Sequence, residues 1–306
     1  MFKKIFHKLF YFQQWNIGIV DADISCFARN FAPKISWLAK PNSLKFFADP
    51  FSFTHNNQAY ILFEEYCQIS KRGKIMIASL CENSQGKKFL ANKKVLLDNR
   101  KHLSYPFIFC QENNIFLLCE SYKTKNLILY KIDPINLQAN YIKEIFSHQE
   151  AIDPTLFFYN GNYWLFYSKA DQANSHLYLA YSPSLHQDFV LHPQNPIKVS
   201  QISARSAGNI FVANGKIYRP AQNCQKHYGE SIVINEITHL NPHFFSEQQV
   251  ATTSTKHLDC YRLGMHTLSV ASINGKNYTL VDGCREIFVI YKPFISLLRN
   301  ILRKII

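Results

Sequence analysis

Apolar and polar residues alternate along most of this chain, and the alternation returns in five similar units. Each unit holds a small or acidic turn, an apolar alternating run, an Asn/Gly hairpin and an aromatic return run. The five units lie at 48–66, 104–121, 152–168, 206–222 and 264–283. Alternation with a period of two predicts β-strands. A spacing of roughly fifty residues with several strands per copy is typical of a β-propeller.

The turn residues agree with this interpretation. Asn-Gly pairs, which accept the left-handed backbone of tight hairpins, stand at 160–161, 214–215 and 274–275. Helical periodicity is scarce between the first unit and the last. We therefore predict an all-β fold, a five-bladed β-propeller with short amphipathic terminal helices. Another all-β array, such as a sandwich, is the alternative, although a sandwich rarely repeats one unit so regularly.

The chain is predicted to form a single domain over residues 1–306. The propeller is assigned to 15–283, and two basic amphipathic tails are assigned to 1–14 and 285–306. Hydrophobic residues make up 47% of the sequence and aromatic residues 15%, which is ample for a buried core. No low-complexity linker or change of composition divides the chain, so we expect no second domain.

Cysteine usage and hydropathy bear on the compartment. Eight cysteines are scattered without a CxxC pair or a disulfide-rich spacing, which is typical of a reducing environment. Residues 1–10 are basic but have neither the continuous apolar core nor the small-residue cleavage site of a secretory signal. The sequence has no apolar run of about eighteen residues, the length that a membrane span needs. We expect a cytoplasmic protein.

Positive charge is conspicuous at both ends of the chain. The sequence has 34 Lys and Arg against 21 Asp and Glu. In 2–12 and 293–306, apolar residues recur at helical spacing with basic residues between them. Such helices can lie on an anionic membrane, so we expect a protein peripheral to the inner face of the membrane. Alternatively, the helices cap the propeller underside or pack on each other. The other basic residues form no nucleic-acid motif, so nucleic acid is not an expected partner.

A propeller gathers the first residues of equivalent strands around one central mouth. Asp49 and Asp153 open strands of the first and third units, so we predict that they are neighbours there. His266 falls at the corresponding position of the fifth unit. Other interpretations stay open, because an Asp-Pro pair can simply begin a strand and a lone histidine is often just hydrogen-bonded within a core.

Several motifs of five to seven residues stand in a recognisable order. They include Phe47-Ala-Asp-Pro-Phe, Ser104-Tyr-Pro-Phe-Ile-Phe, Asp153-Pro-Thr-Leu-Phe, Arg205-Ser-Ala-Gly-Asn-Ile-Phe and Tyr218-Arg-Pro-Ala-Gln-Asn-Cys. Over about 15–283 the chain resembles the propeller domain at the N-terminus of plant glucosamine inositolphosphorylceramide transferases and its stand-alone bacterial relatives. That domain is similar to the five-bladed propellers of family-43 glycoside hydrolases. The resemblance implies a carbohydrate setting but leaves the reaction open, because a separate C-terminal domain carries the glycosyl transfer in the plant proteins.

The family-43 resemblance implies roles for two carboxylates. Asp49, in Ala-Asp-Pro, matches the general base that activates water, and Asp153 matches the residue that tunes the acid and positions the sugar. The catalytic acid of the pattern is missing, since its place reads Arg205-Ser-Ala-Gly. Substitute acids are available in Glu120, Glu64, Glu65 and Glu230. We assign the catalytic role to Glu120, although each of the four can instead form an ion pair.

The other polar residues near the mouth suit an anionic sugar ligand. The predicted substrate-binding residues are Tyr105, Arg205, Arg219, Gln222, His227, Tyr228, Arg262 and His266. The planar fork of arginine binds carboxylate, phosphate or pyrophosphate, so Arg205 and Arg219 are expected to act as anion clamps. Tyr105 and Trp164 can stack on sugar rings, although Trp164 lies mid-strand and can equally belong to the core.

The sequence does not fix a cofactor. By the family-43 resemblance, His266 points down the axis toward a divalent cation or a water cluster. No His/Cys spacing indicates a structural zinc, and we assign no metal ligand.

The sequence is compatible with three functions. The first is glycan or sugar-nucleotide binding or processing, including glycosyl transfer, in the assembly of cell-surface polysaccharide or glycolipid. The second is an inverting glycoside hydrolase of the family-43 type with a non-standard acid. The third is a non-catalytic propeller that recognises a glycan or a partner protein, because a fold alone never fixes a function.

Overall fold

The computed structural model describes residues 2–295, with side chains from Ile5 onward, and it confirms an all-β, five-bladed propeller. Each blade is an antiparallel sheet of four strands, and one blade carries a fifth short strand. The apolar strand residues explain this architecture, since the two faces of each sheet pack against the neighbouring blades and bury apolar side chains on both sides.

The elements follow in chain order. The chain begins with α1 (Phe2–Phe10), β1 (Tyr11–Val20), a 3-10 helix (Ile24–Ala28) and β2 (Ile35–Trp37). Blade one contains β3 (Lys45–His55), β4 (Gln58–Cys67), β5 (Arg72–Glu82) and β6 (Lys88–Leu97). Blade two contains β7 (Ser104–Gln111), β8 (Asn114–Glu120), β9 (Leu127–Asp133) and β10 (Gln138–Phe146).

The remaining blades continue this order. Blade three contains β11 (Ile152–Tyr159), β12 (Asn162–Ser168), a 3-10 helix (Ala170–Gln172), β13 (His176–Ser182), β14 (Val190–Leu191) and β15 (Lys198–Val199). Blade four contains β16 (Phe211–Ala213), β17 (Lys216–Asn223), β18 (Ser231–Leu240) and β19 (Phe245–Thr253). The last two strands, β20 (Leu268–Ile273) and β21 (Lys276–Phe288), complete blade five together with β1 and β2.

Blade five joins the two ends of the chain. β1 pairs antiparallel with β21 from Tyr11 opposite Phe288 to Val20 opposite Thr279. The propeller therefore begins before residue 15 and ends after residue 283, and residues 11–14 belong to a strand, not to a tail. The sequence motifs placed these boundaries too far inward because the pairing is between segments at opposite ends of the chain.

One face of the propeller is defined by the strand directions. The first strand of each blade begins there and the second strand ends there, so Asp49, Glu64 and Asp282 meet at this level. We call it the mouth face. β1 and β21 continue beyond it, and α1 and residues 289–295 follow them, so the terminal segments stand on the mouth side and not on the underside.

Of the two predicted terminal helices, the N-terminal one is present as α1. The C-terminal one falls largely outside the described residues, which end in a helical turn at 292–295. Within 2–295, no helix is long and apolar enough to cross a bilayer. Trp164 is buried and donates its indole N–H to Tyr159 O (3.0 Å), so it belongs to the core and not to the mouth.

Candidate functional site at the propeller mouth

Three blades begin with the same unusual backbone turn. Asp49, Tyr105 and Asp153 each precede a proline and adopt a positive φ, of 53°, 46° and 46°. A β-bulge lies at each turn, where the regular pairing of the first two strands is interrupted. Non-glycine residues rarely adopt a positive φ, and such backbone strain clusters at functional sites. All three side chains are buried at the axis.

The same level holds a second set of polar residues, contributed by the second strand of each blade. Aligning the five hairpins places one polar residue eight positions after the first hairpin residue in every blade: Glu64, Glu120, Ser168, Gln222 and Asp282. All five are buried. Asp282 was missed in the sequence analysis, and this repeated position is the signal that identifies it.

On one side of the mouth, His266 lies between two buried carboxylates. Its Nε2 is 3.1 Å from Asp49 Oδ1, and its Nδ1 is 2.9 Å from Asp282 Oδ2. Thr267 donates its hydroxyl to Asp49 Oδ1 (3.0 Å), and the backbone N–H groups of His266 and Thr267 donate to Asp282 Oδ1. The backbone N–H of Asp49 donates to Asp282 Oδ2 (3.1 Å). This arrangement holds the two carboxylates and the imidazole in one rigid group.

The carboxylates set the charge of His266. Burial disfavours the charged imidazole, but the negative charges of Asp282 and Asp49 outweigh burial and raise the pKa of His266 well above its ordinary value. Burial likewise disfavours ionised Asp49, yet His266 and the hydrogen bonds from Thr267 and Tyr105 lower the pKa of Asp49. The group is therefore an imidazolium that bridges two carboxylates.

The same three residues are the candidate cation site. Asp49, His266 and Asp282 are buried with their ligand atoms within 4.8 Å of one another. Metal binding needs a neutral imidazole with a free lone pair, whereas the raised pKa of His266 favours its protonated form. A divalent cation held by Asp49, His266 and Asp282 would therefore have to displace the imidazolium proton.

Tyr105 crosses the axis from blade two. Its backbone N–H donates to Asp49 Oδ2 (3.1 Å), and its hydroxyl accepts from the Gly208 N–H (2.7 Å) and contacts Thr155 Oγ1 (2.8 Å). The side chain is fully buried. The expectation that Tyr105 stacks on a sugar ring is therefore wrong, because the ring fills the axis and ties blades one, two, three and four together.

On the opposite side of the mouth, Asp153 and Arg205 form an ion pair. Arg205 Nε donates to Asp153 Oδ2 (2.6 Å), and Gln222 Nε2 donates to the same oxygen (2.8 Å). A terminal nitrogen of Arg205 lies 3.9 Å from Glu120 Oε2, and the Asp153 N–H points to that oxygen at 3.4 Å. The structure thus brings Glu120, Asp153, Arg205 and Gln222 together as the sequence predicted.

Arg205 stands in the place where the family-43 pattern has its acid, but its charge is already engaged. Its partner Asp153 is a carboxylate, and another nitrogen donates to Asn174 Oδ1 (3.0 Å). The guanidinium also lies over the Tyr228 ring, 4.8 Å from its centre. Arg205 therefore positions Asp153 and Tyr228 in this structure, instead of presenting a free cation to an anionic ligand.

Two glutamates of the mouth have raised pKa values. Burial, followed by the charge of Asp153, raises the pKa of Glu120 well above its ordinary value, although Arg205 opposes the shift. Burial and then the charge of Asp49 raise the pKa of Glu64 in the same way. These shifts favour the protonated form of the two glutamates and the ionised form of Asp49. A pair of carboxyl groups with pKa values driven apart is the arrangement used for acid and base roles.

Glu64 has an unsatisfied oxygen. Its buried Oε1 has no hydrogen-bond partner among the described residues and lies 3.8 Å from His102 Nδ1. That nitrogen accepts the Gly73 N–H (3.0 Å), so the His102 proton is on Nε2. Burial lowers the pKa of His102, which keeps the ring neutral. Glu64 is therefore a buried carboxyl group with a raised pKa and with one oxygen that has no hydrogen-bond partner among the described residues.

The rim of the mouth is aromatic and partly open. Tyr228 is 38% exposed and packs edge-on against Trp15 and His266, with ring centres 6.2 and 5.2 Å away. The neighbouring His227 and the more distant Arg262 are exposed, as expected for rim residues. On the opposite rim, four rings follow one another: Phe46, Tyr66, His102 and Tyr122. Neither Trp15 nor this row was identified from the sequence.

Arg219 does not belong to the mouth. Its guanidinium is 1% exposed and forms a two-point ion pair with Glu247, with distances of 2.8 and 2.6 Å. It also donates to the carbonyl groups of Ser203 and Ala204. The expectation of an anion clamp is wrong for Arg219, because every contact that it makes is structural. Strand residues an odd number of positions apart point to opposite faces of a sheet. Arg219 and Gln222, three positions apart on β17, therefore lie on opposite faces despite their closeness in sequence.

Two of the four substitute acids are ordinary ion-pair residues. Glu65 lies 2.9 Å from Lys45 Nζ and 3.3 Å from Lys74 Nζ. Glu230 lies 2.6 Å from Lys256 Nζ, and the hydrogen bond from that lysine lowers the pKa of Glu230. Both are engaged by lysine side chains, so Glu120 and Glu64 remain as the candidate acids.

Fold and site together define a five-bladed propeller with an acid-rich, aromatic-rimmed mouth. Residues 35–283 match the family described as glucosamine inositolphosphorylceramide transferase 1, N-terminal, and the chain belongs to that family. The glucosamine inositolphosphorylceramide transferase 1 of Oryza sativa subsp. indica is 32% identical over 211 residues, which cover 67% of this chain. The matched part is 28% of the rice protein, so the chain corresponds to less than a third of that relative.

Solved structures share the fold. A family 117 glycoside hydrolase from Zobellia galactanivorans superposes with a TM-score of 0.55 at 12% identity, covering 89% of this chain and 90% of the hydrolase. A family-43 enzyme from Xanthomonas citri, solved with xylose, superposes with a TM-score of 0.54 at 10% identity, covering 81% of this chain and 88% of the enzyme. At these identities the similarity establishes the propeller architecture alone.

Proposed function

We propose that the mouth binds a saccharide, as a glycan or as the sugar of a sugar nucleotide, and that the protein contributes to glycosyl transfer in cell-surface polysaccharide or glycolipid assembly. The observation that carries the proposal is the cluster of Asp153, Arg205, Gln222 and Glu120 beneath the exposed ring of Tyr228. Membership of a family named for a sugar-transferring enzyme supports the same chemistry.

The chemistry of the cluster suits hydroxyl groups. Each sugar hydroxyl both donates and accepts a hydrogen bond, so a site needs acceptors such as carboxylates beside donors such as guanidinium, amide and protonated acid groups. The mouth has all of these within one cluster. Aromatic faces at the rim offer apolar area to a sugar ring. Since Arg205 is paired with Asp153, neutral sugars are the first expectation, with an anionic nucleotide portion reaching the exposed Arg262.

The test is a binding panel in solution. Isothermal titration calorimetry would compare neutral oligosaccharides, UDP-glucose, UDP-N-acetylglucosamine and UDP alone. Asp153→Asn removes a charged hydrogen-bond acceptor, so affinity is expected to fall about tenfold or more. Tyr228→Ala should weaken binding without unfolding the protein. The matched control is Asp188→Asn on the exposed outer surface, which should bind as wild type.

Two results would count against saccharide binding. One is a folded wild-type protein that binds no member of the panel. The other is equal binding by Asp153→Asn, Tyr228→Ala and Asp188→Asn. If UDP alone binds as tightly as the UDP-sugars, the nucleotide is recognised and the proposed sugar contacts in the mouth are contradicted.

A second function is favoured by one observation, the separation of pKa values. The pKa of Asp49 is lowered whereas that of Glu120 is raised. These are the directions required of the base and the acid of an inverting glycosidase. In this alternative, Glu120 protonates the leaving oxygen and Asp49 accepts a proton from the attacking water.

Aryl glycosides separate the two functions, because an activated leaving group needs little acid assistance. Hydrolysis is expected to disappear in Asp49→Asn. Glu120→Gln should impair natural glycosides far more than aryl glycosides. Turnover of neither substrate class by an enzyme that binds saccharides would leave binding or transfer as the function. A scaffold without any ligand in the mouth is the remaining outcome, reached if binding and hydrolysis both fail.

We further propose that the protein works in a reducing compartment such as the cytoplasm. The eight cysteines are all unpaired, and two of them, Cys110 and Cys260, are exposed. Exposed thiols persist where glutathione keeps them reduced. Rapid alkylation of both thiols in freshly lysed cells is expected. A block on alkylation that is released only by reductant would contradict this location.

A further inference from the structure

The two ends of the chain form one surface. Val289 N–H donates to Phe10 O (2.7 Å), and Lys292 Nζ donates to Lys8 O (2.8 Å). Phe288 packs against Phe10, with ring centres 5.8 Å apart. A small apolar cluster around Phe12, Val289 and Ile295 anchors the junction to the propeller. The segments therefore act as one unit, although nearly the whole sequence lies between them.

Apolar side chains on this unit face solvent. We define the terminal patch as α1 together with residues 288–294. Its exposed apolar side chains are Ile5, Phe6, Leu9, Phe288, Ile290, Tyr291 and Phe294. Ile290 is 67% exposed and Phe294 is 72% exposed. Exposed aromatic and aliphatic side chains concentrated in one region mark an interaction surface, since scattered single residues would need no explanation.

The sequence of the patch is also positively charged. Residues 2–10 and 288–294 contain four lysines, Lys3, Lys4, Lys8 and Lys292, and no acid. The nearest acid, Glu286, lies 2.7 Å from His7. Apolar residues interspersed with lysines complement an anionic lipid surface, where the apolar side chains enter the interface and the lysines meet the headgroups.

The patch is also placed on the mouth side. Trp15, which contacts Tyr228 and His266 at the rim, pairs with Cys284. From that level, β1 and β21 run four residues further, to Tyr11 opposite Phe288, a rise of about 13 Å. Tyr291 contacts Ser43, in the segment that leads into the first strand of blade one. A surface that contacts the patch would therefore lie over the mouth face.

We propose that the terminal patch is a docking surface for an anionic membrane, and that docking turns the mouth toward the bilayer. Docking requires only the terminal segments and does not depend on what the mouth binds. Docking would bring the mouth close to molecules held at the membrane surface. It would also explain why apolar and cationic residues from both chain ends are gathered at the same side.

Vesicle sedimentation tests the charge requirement. Vesicles of two parts phosphatidylcholine and one part phosphatidylglycerol should bind the protein, and pure phosphatidylcholine vesicles should bind it weakly. The variant Lys3→Glu/Lys4→Glu/Lys8→Glu is expected to lower the partition constant by at least about 100-fold, since each lysine near an anionic surface contributes roughly fivefold. Raising the salt concentration should weaken wild-type binding in the same direction.

The matched control carries the same change of net charge elsewhere. Lys34, Lys87 and Lys131 are exposed, and they lie toward the ends of strands that are remote from the mouth. Lys34→Glu/Lys87→Glu/Lys131→Glu should bind anionic vesicles nearly as wild type. If this control loses binding as completely as the α1 variant, attraction is a property of net charge and the docking surface is refuted.

A second variant tests the apolar part. Ile5→Ser/Leu9→Ser changes two exposed side chains, so the fold should persist while vesicle binding falls. Unchanged binding would refute the apolar contribution. If wild type instead forms a dimer that this variant dissociates, and no vesicle binding occurs, the patch belongs to a second copy of the chain. Vesicle binding that vanishes only on deletion of 296–306 would assign docking to those residues and not to the patch.

Energy transfer tests the orientation. In a protein with Cys110→Ser and Cys260→Ser, a donor is attached at Gln225→Cys beside the mouth or at Lys87→Cys on the opposite side. With an acceptor-labelled lipid in the vesicles, transfer from position 225 should exceed transfer from position 87. The reverse order would show that the mouth faces away from the bilayer and would overturn the orientation.

Discussion

At the scale of single residues, the charge of one imidazole, that of His266, balances the charges of the buried carboxylates of Asp49 and Asp282. His266 lies between Asp49 and Asp282, and the carboxylates keep it protonated despite its burial. Replacing the cation by a neutral group would leave two buried carboxylates facing each other, which is costly in a low dielectric. The charge state of His266 therefore links the stability of the mouth to pH.

The expected pH dependence follows from the direction of the pKa shift. A folded protein that keeps a proton on His266 binds more protons than the unfolded chain above the ordinary pKa of 6.5. The free energy of unfolding should therefore fall as pH rises above 6.5, by at most about 1.4 kcal/mol per pH unit for this proton. At the acid end, the stabilising contribution of ionised Asp49 should be lost only when the pH falls below 3.8, because the pKa of Asp49 is lowered in the folded protein.

Nitrogen-detected NMR makes this prediction specific to one residue. Both ring nitrogens of His266 should remain protonated at pH 8, and the signals should be assigned by their loss in His266→Gln. Urea titrations between pH 6 and 9 would measure the accompanying stability. A neutral His266 ring at pH 7 would contradict the imidazolium assignment and reopen the cation site.

Arg219 shows how far residue type can mislead. Its sequence neighbourhood predicted a ligand clamp, but burial against Glu247 makes it a structural residue. Removing one partner of a buried ion pair leaves an uncompensated charge, so Arg219→Ala should lower the free energy of unfolding by about 3 kcal/mol. Lys198 still pairs with Glu247 in that variant and limits the loss.

Chemical denaturation would measure the Arg219 prediction. The control is Lys216→Ala, on the same strand as Arg219. This variant removes the exposed ion-pair partner of Glu236 and should leave the free energy of unfolding unchanged within error. A stable Arg219→Ala protein that has lost saccharide affinity would contradict the structural role and restore the clamp.

At the scale of elements, each blade depends on its first turn. Blade four uses Gly208 with a φ of 109°, where a Cβ would overlap the backbone of Leu268. Gly208→Ala should therefore prevent folding or cost at least several kcal/mol. Gly215→Ala is the control, because Gly215 has a φ of 74° but open space around it, and strain alone should cost about 1–2 kcal/mol. Similar losses in both variants, measured by urea unfolding, would show that the close approach at Gly208 is not decisive.

The strands were largely predictable because their signals are local. Alternation and Asn-Gly pairs identify hairpins such as β11–β12 from neighbouring residues alone. β1 was not assigned to a blade, because its partner β21 lies at the other end of the sequence and no local pattern records such pairing. The turns at Asp49 and Asp153 were found through their Asp-Pro motifs, whereas their left-handed backbone follows only from the bulged pairing.

At the scale of the whole molecule, the β1–β21 pair closes the ring. β1 supplies buried Ile17 and Ile19 to the core between blades five and one. Deleting residues 1–20 should expose this core and an unpaired strand edge, so the truncated protein should aggregate or fail to fold. A circular permutant that links the paired ends and opens the chain at the Asn160-Gly161 hairpin keeps every strand and should fold.

Circular dichroism and analytical ultracentrifugation would compare these two proteins. A monomeric, cooperatively unfolding truncation would contradict the closing role of β1. Failure of both proteins would mean that the hairpin at 160–161 is itself needed, and an opening at 214–215 would then serve as the control.

The mouth was predictable in outline and not in detail. Repeat position identified Asp49, Asp153 and His266, because equivalent positions converge on the axis of a propeller. It did not reveal that Tyr105 fills that axis, or that Asp282 faces His266, since both depend on contacts across blades. Charge balance was equally hidden, because only the three-dimensional pairing shows that Asp153 neutralises Arg205.

The most direct test of saccharide binding is a crystal structure of the protein with the tightest ligand from the binding panel. The sugar ring is expected in the mouth, with hydroxyl groups within hydrogen-bond distance of Asp153, Arg205 or Glu120 and with one face against Tyr228. Loss of the same density in crystals of Asp153→Asn would connect the position to the affinity. A sugar bound on the underside or in an outer groove, with an empty mouth, would contradict saccharide binding at the mouth.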